Sequence, residues 1–151
     1  RYVLFTQGCP HGCPGCHNPQ THDFNGGKEV SVDEIIAELL DNPLTDGITF
    51  SGGEPFCQPE GLAVLARLLK DAGYHTASFT GFTFEQLIAS ENPAVRELLN
   101  NLDILVDGPY IEELRDLELR FRGSRNQRVL DVPASLKAGC AILSTDQDWI
   151  E

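Results

Sequence analysis

Residues 47–79 read GITFSGGEPFCQPEGLAVLARLLKDAGYHTASF, and the order of apolar runs, breakers and caps in this stretch decides the fold. Gly47 to Phe50 is a short apolar run of the buried-strand type, stopped by Ser51-Gly52-Gly53. Pro59 and Glu60 open a helix in which Leu62, Leu65, Ala66, Leu68 and Leu69 form the inward stripe, and Gly73 closes it just past the last turn. Tyr74 to Phe79 is the next strand, ended by Thr80-Gly81. Strand, loop, helix and strand in succession make one βα unit, which joins parallel strands.

The same rhythm extends in both directions. Upstream, Tyr2 to Thr6 reads as a strand that feeds a cysteine-rich loop, followed by a polar, glycine-containing segment as far as Lys28. Ser31 and Glu34 form a capping-box pattern ahead of a helix with Ile35, Ile36, Leu39 and Leu40 on its apolar stripe, and Asn42-Pro43 ends it. Downstream, Thr83 and Gln86 repeat the capping signal for a helix reaching about Ala89, with a further turn or two over Val95 to Leu99. Leu102 to Val106 is a fourth strand, ending at Asp107-Gly108; Val129 to Val132 and Ala141 to Leu143 read as further short strands. The pattern predicts an α/β fold around a mostly parallel sheet. The cysteine loop, Ser51-Gly52-Gly53-Glu54, Thr80-Gly81 and Asp107-Gly108 all follow strand ends, and such sheets and barrels carry their sites at that edge.

A chain of 151 residues with 41% hydrophobic residues suits a single domain with an ordinary core. The formal charge of −12 argues against a broad nucleic-acid surface. No apolar run approaches the ~20 residues of a membrane span, and no signal-peptide pattern is present. The chain opens at Arg1, directly ahead of an apolar run, and contains no methionine, which predicts a short segment upstream of the first strand. Arg115, Arg120, Arg122, Arg125 and Arg128 make up five of the eleven basic residues, either a site for an anion or acidic partner or a cationic rim on an acidic protein.

Cys9, Cys13 and Cys16 form a C-x3-C-x2-C run, with Gly12 and Gly15 relaxing the backbone between them, so three thiolates can converge on one metal centre. Three is the informative count, because a structural zinc site takes four protein ligands whereas a four-iron cluster on three cysteines keeps one iron open. A Cys3His zinc site completed by His11 or His17 is the alternative, and His17 abuts Cys16 too closely for the usual looped spacing. Clustered thiols in an odd total of five cysteines indicate metal in a reducing, cytoplasmic compartment rather than a disulfide scaffold. Cys57 and Cys140 stand apart and read as buried thiols.

The cysteine run followed by Gly52-Gly53-Glu54-Pro55 after the next strand resembles the radical S-adenosylmethionine (SAM) enzymes. More closely, residues 8–19 (GCPHGCPGCHNP), 103–108 (DILVDG) and 119–127 (LRFRGSRNQ) resemble the family of activating proteins of anaerobic (class III) ribonucleotide reductase. The resemblance spans nearly the whole chain. It implies an incomplete (βα) barrel with outer helices and a [4Fe–4S] cluster on Cys9, Cys13 and Cys16. SAM is then implied to chelate the fourth iron, with Ser51, Gly52, Gly53 and Glu54 along its methionine part and Thr80 near its ribose or sulfonium. Gly15 stands where several relatives carry an aromatic residue near the adenine, so the adenine contacts are not assigned.

The activity implied is reductive cleavage of SAM to methionine and a 5′-deoxyadenosyl radical, which takes hydrogen from a glycine of the large reductase subunit; the electron comes from a donor such as flavodoxin. The same motifs fit activation of another glycyl-radical enzyme such as pyruvate formate-lyase, although the Arg122–Gln127 segment favours the reductase. A zinc-stabilised interaction module is the non-catalytic alternative.

Overall fold

A computed structural model describes residues 1–13, 20 and 23–150. Cys16, Gly15, His17 and Asn18-Pro19 lie outside the described residues.

Five strands form one sheet in the order β1 (Tyr2–Thr6), β2 (Gly47–Gly52), β3 (His75–Phe79), β4 (Ile104–Asp107) and β5 (Arg128–Asp131). The first four run parallel, and β5 is antiparallel to β4. Helices α1 (Val32–Leu40), α2 (Pro59–Asp71), α3 (Phe84–Ile88) and α4 (Pro93–Asn100) make the crossovers, and α5 (Val132–Ala138) and α6 (Gln147–Ile150) follow β5. Sequential order with a consistent crossover hand stacks the first helices on one face, as in a barrel that stops short of closing.

That face holds the main core. Ile48 and Phe50 of β2, Leu105 of β4 and Leu130 of β5 meet Leu39 of α1, Leu65 and Leu69 of α2, and Leu98 and Leu99 of α4. The alternate strand residues Ala77, Ile104, Val106 and Val129 point to the other face, where Trp149 of α6 packs on them. Among the described residues this second face is covered towards β4 and β5, while on β1 Val3 and Phe5 are 47% and 58% exposed. The inner side of the sheet is therefore closed at one end and open beside the strand that leads into the cysteines.

The helix signals operate as read, with local differences. Ser31 accepts from Glu34 N, Thr83 and Gln86 form the reciprocal capping box, and Gly73 takes φ +92° past α2. Leu68 and Leu40 are not inward: they are 41% and 59% exposed, because each lies off the line set by its helix's buried leucines. Residues 129–132 are not all strand. Asp131 accepts from Ala134 N, Pro133 sits in the first turn and Gly139 closes at φ +75°, so a helix begins at Val132. The expected strand over Ala141 to Leu143 reduces to one bridge between Leu130 and Leu143.

Candidate functional site

Strand register assembles the site edge. Thr6 pairs with Gly52, Phe50 with Ser78, and Phe79 with Val106, so four strands end level with one another. The four segments singled out from the sequence leave the sheet on this edge. Asp103, by contrast, precedes β4 at the opposite edge, where its carboxylate takes hydrogen bonds from Lys70 Nζ at 3.0 Å and Thr76 N at 2.9 Å. Burial alone would raise that carboxyl, but these donors outweigh it and hold Asp103 below the ordinary carboxylate value.

The cysteine loop is pinned to the end of β2. Gly53 N donates to Thr6 O and Glu54 N to Gly8 O, each at 2.7 Å, and Gln58 Nε2 donates to Gln7 O. Gly52 is required here: at φ +91°, a Cβ would lie 2.6 Å from both Thr6 N and Thr6 O. Gly8 takes φ +106° beneath the Phe24 ring, where a Cβ would lie 2.5 Å from Phe24 Cδ1. The close approach that Gly52 permits is thus an approach of β2 to the cysteine strand.

Glu54 is fully buried. Its Oε1 accepts from His11 Nε2 at 2.6 Å and Gly81 N at 2.7 Å; its Oε2 accepts from Thr80 Oγ1 at 2.8 Å and Phe56 N at 3.0 Å. Thr80 Oγ1 in turn accepts from Phe82 N at 3.1 Å. Glu54 is therefore not a solvated carboxylate. The linkage among His11, Glu54 and Thr80 was not legible because 43 residues separate the first pair and 26 the second.

Cys9 and Cys13 lie on this pinned loop, partly exposed, and no disulfide joins any of the four described cysteines. Two accessible thiols on a loop fixed at the strand ends suit an iron–sulfur donor set, with Cys16 outside the described residues. Cys57 follows in the short 3-10 turn Pro55–Cys57, and Cys140 lies past α5; both are exposed, not buried as expected. Burial of part of its side chain, with Glu54 and Cys9 adding to the effect, pushes the Cys57 thiol up to about 11.

The arginine group divides. Arg128 binds Asp107, so it is an internal brace, while Arg115, Arg120 and Arg125 are exposed. Arg122 joins neither Asp103 nor Asp107: those carboxylates are taken by Lys70 and Arg128. The 122–127 segment folds back on the exit of β4, with Gln127 Nε2 donating to Gly108 O and Asn126 Nδ2 to Pro109 O, at 3.0 and 2.7 Å. A cleft of about 580 Å³ lined by Lys70, His75, Asp103 and Asp146 opens at the opposite edge, remote from the cysteines. Among the described residues no helix is long and apolar enough to cross a membrane.

The family described as "4Fe-4S single cluster domain" matches residues 1–130. The chain is similar to the anaerobic ribonucleoside-triphosphate reductase-activating protein of Salmonella typhi, 38% identical over 137 residues that cover 85% of this chain and 86% of the relative. The protein of the same description from Escherichia coli strain K12 is 34% identical over the same shares. The pyruvate formate-lyase-activating enzyme of Staphylococcus aureus is 36% identical over 143 residues, 90% of this chain and 56% of that enzyme.

Proposed function

The chain belongs to the family of anaerobic ribonucleoside-triphosphate reductase-activating proteins, and from that premise we propose that it installs the glycyl radical of an anaerobic ribonucleotide reductase. It is an iron–sulfur enzyme of the radical SAM class. The observation that carries the proposal is the pinning of the cysteine loop to Gly53 and Glu54 at the end of β2, which brings the loop bearing Cys9 and Cys13 and a glycine-rich backbone to one edge. Cys9, Cys13 and Cys16 hold the [4Fe–4S] cluster in this reading. Ser51, Gly52 and Gly53 offer backbone to the methionine part of SAM, while Glu54 and Thr80 shape the adjoining wall.

When bound, cluster and SAM supply the one-electron cleavage that yields a 5′-deoxyadenosyl radical. The protein's own contribution is orientation and access. Hydrogen bonds from Gly53 N, Glu54 N and Gln58 Nε2 keep the thiol loop against β2. The open inner side beside Val3 and Phe5 gives an extended glycine-bearing segment of the reductase a way to the radical. The electron for this chemistry would come from a one-electron donor of the flavodoxin type.

Pyruvate formate-lyase activation is the second reading, favoured by the 36% identity that extends over 90% of this chain. The better matched length of the reductase activators, 86% against 56% of the relative, sets the order. SAM binding is tested with the cluster-loaded G53V variant, whose branched side chain stands where backbone approach is needed. The expected result is about tenfold weaker SAM binding with iron content unchanged, since one or two lost backbone contacts are worth that much; wild-type affinity in loaded G53V contradicts the placement.

A further inference from the structure

We infer that Glu54 is a positioning residue for the iron–sulfur loop, acting through His11, rather than a ligand of the SAM ammonium. The inference rests on the reading that Cys9, Cys13 and Cys16 hold the cluster, and it assigns a task to the acidic member of the glycine-rich segment.

An ionised carboxylate offers about four lone-pair positions. Glu54 has four donors: His11 Nε2, Gly81 N, Thr80 Oγ1 and Phe56 N, at 2.6–3.0 Å. The two backbone N–H groups can only donate, and toward an ionised carboxylate the His11 ring nitrogen contributes as a donor as well. With no exposed surface and all four positions filled, Glu54 has nothing left for an incoming ammonium.

The donors come from three separate places: the cysteine loop, the turn that follows Glu54, and the end of β3. His11 lies midway between Cys9 and Cys13, so the carboxylate ties the backbone between two ligands to a buried point on the sheet edge. The ring has little freedom to leave. It meets the Phe82 ring edge-on, with centroids 4.6 Å apart and planes at 71°. On another side a Cβ on Gly81 would fall 2.5 Å from His11 Cδ2. Gly81 is small because the imidazole occupies the space. Gly12, next to His11, takes φ +57°, and among the described residues nothing lies within 4 Å of its Cβ position. The hydrogen bond from His11 thus fixes the backbone ahead of Cys13 to the sheet edge.

The test compares wild type with H11A, H11Q, E54Q and C9A, each reconstituted anaerobically without SAM. Iron release to a ferrous chelator is timed, the spin-resonance spectrum of the reduced cluster is recorded, and the apoprotein is melted. H11A and E54Q should release iron about tenfold faster, the usual scale for removing a group that orients a metal ligand. Their cluster spectra should shift; apoprotein melting should stay near wild type in H11A and fall in E54Q, whose amide nitrogen would face buried donors. Glutamine can donate from Nε2 over a similar reach, so H11Q should recover most of the retention. Wild-type release from H11A and E54Q overturns the inference. So does wild-type release from E54Q with SAM affinity lost, which would make Glu54 a SAM ligand. A drop in the apoprotein melting of H11A that H11Q does not rescue would reduce the pair to a fold brace and overturn it also. Retention of the full cluster by C9A would instead remove the ligand assignment on which the inference stands.

Discussion

Arg128, the first residue of β5, donates from Nε and Nη2 to the two carboxylate oxygens of Asp107, the last residue of β4, at 3.0 and 2.5 Å. Asp107 is wholly buried and also accepts from Phe84 N at 2.7 Å, so one carboxylate joins the antiparallel strand, the site edge and the start of α3. Arg128 reaches Glu85 as well, and these partners raise its already high proton affinity further. Removing the guanidinium would leave a buried carboxylate with one donor. R128A should lose about 3 kcal/mol, as for a buried pair deprived of one partner. Its melting midpoint should fall by about 10 °C. R128K, with a single ammonium in place of the fork, should fall between. A melting curve of R128A that overlays wild type contradicts the brace.

This pair also marks where sequence reading stops. Asp107 was legible as a strand-end carboxylate and Arg128 as one of five clustered arginines. Their pairing was not, because it depends on β5 running antiparallel, and strand direction follows from a connection with no helix pattern to read. The βα rhythm of residues 47–79 was legible because caps and periodicity are local signals. The helix at Val132–Ala138 carried its own signals in Asp131, Pro133 and Gly139, but the apolar run from Val129 reads equally as strand. For the site, the convergence of four loops was legible from strand ends; the use of Glu54's carboxylate by His11 and Thr80 was not, since both contacts are long-range.

The three clustered cysteines, and not the two isolated ones, should determine iron content. Alanine at Cys9, Cys13 or Cys16 should abolish the broad absorbance near about 400 nm that iron–thiolate charge transfer gives, and SAM cleavage with it. Alanine at Cys57 or Cys140 should leave about four irons per chain, as a cluster on the remaining three thiolates requires. With its thiol held protonated up to about 11, Cys57 is a poor ligand at neutral pH. A C57A protein without iron contradicts the assignment.

Residues 120–125 should contribute to docking the reductase. Arg120 and Arg125 are exposed in a chain of formal charge −12, on a segment folded against the exit of β4 at the site edge. Since Arg122 does not pair with Asp103 or Asp107, R122A/R125A should keep its cluster, its melting point and its partner-free SAM cleavage. It should form about three- to tenfold less glycyl radical per SAM consumed, and the wild-type advantage should shrink with added salt. Wild-type partner affinity together with wild-type radical yield in the double variant contradicts docking through these arginines.

In the proposed reaction this chain leaves an unpaired electron on a glycine of an anaerobic ribonucleotide reductase. The direct measurement is electron paramagnetic resonance of the large reductase subunit after anaerobic incubation with the cluster-loaded protein, SAM and a reductant. A signal dependent on all three is expected, split into a doublet by the single remaining α-proton and collapsing to a singlet when the reductase carries deuterated glycine. SAM consumed with no organic radical on the reductase, or the doublet appearing only on a different glycyl-radical enzyme, would contradict it.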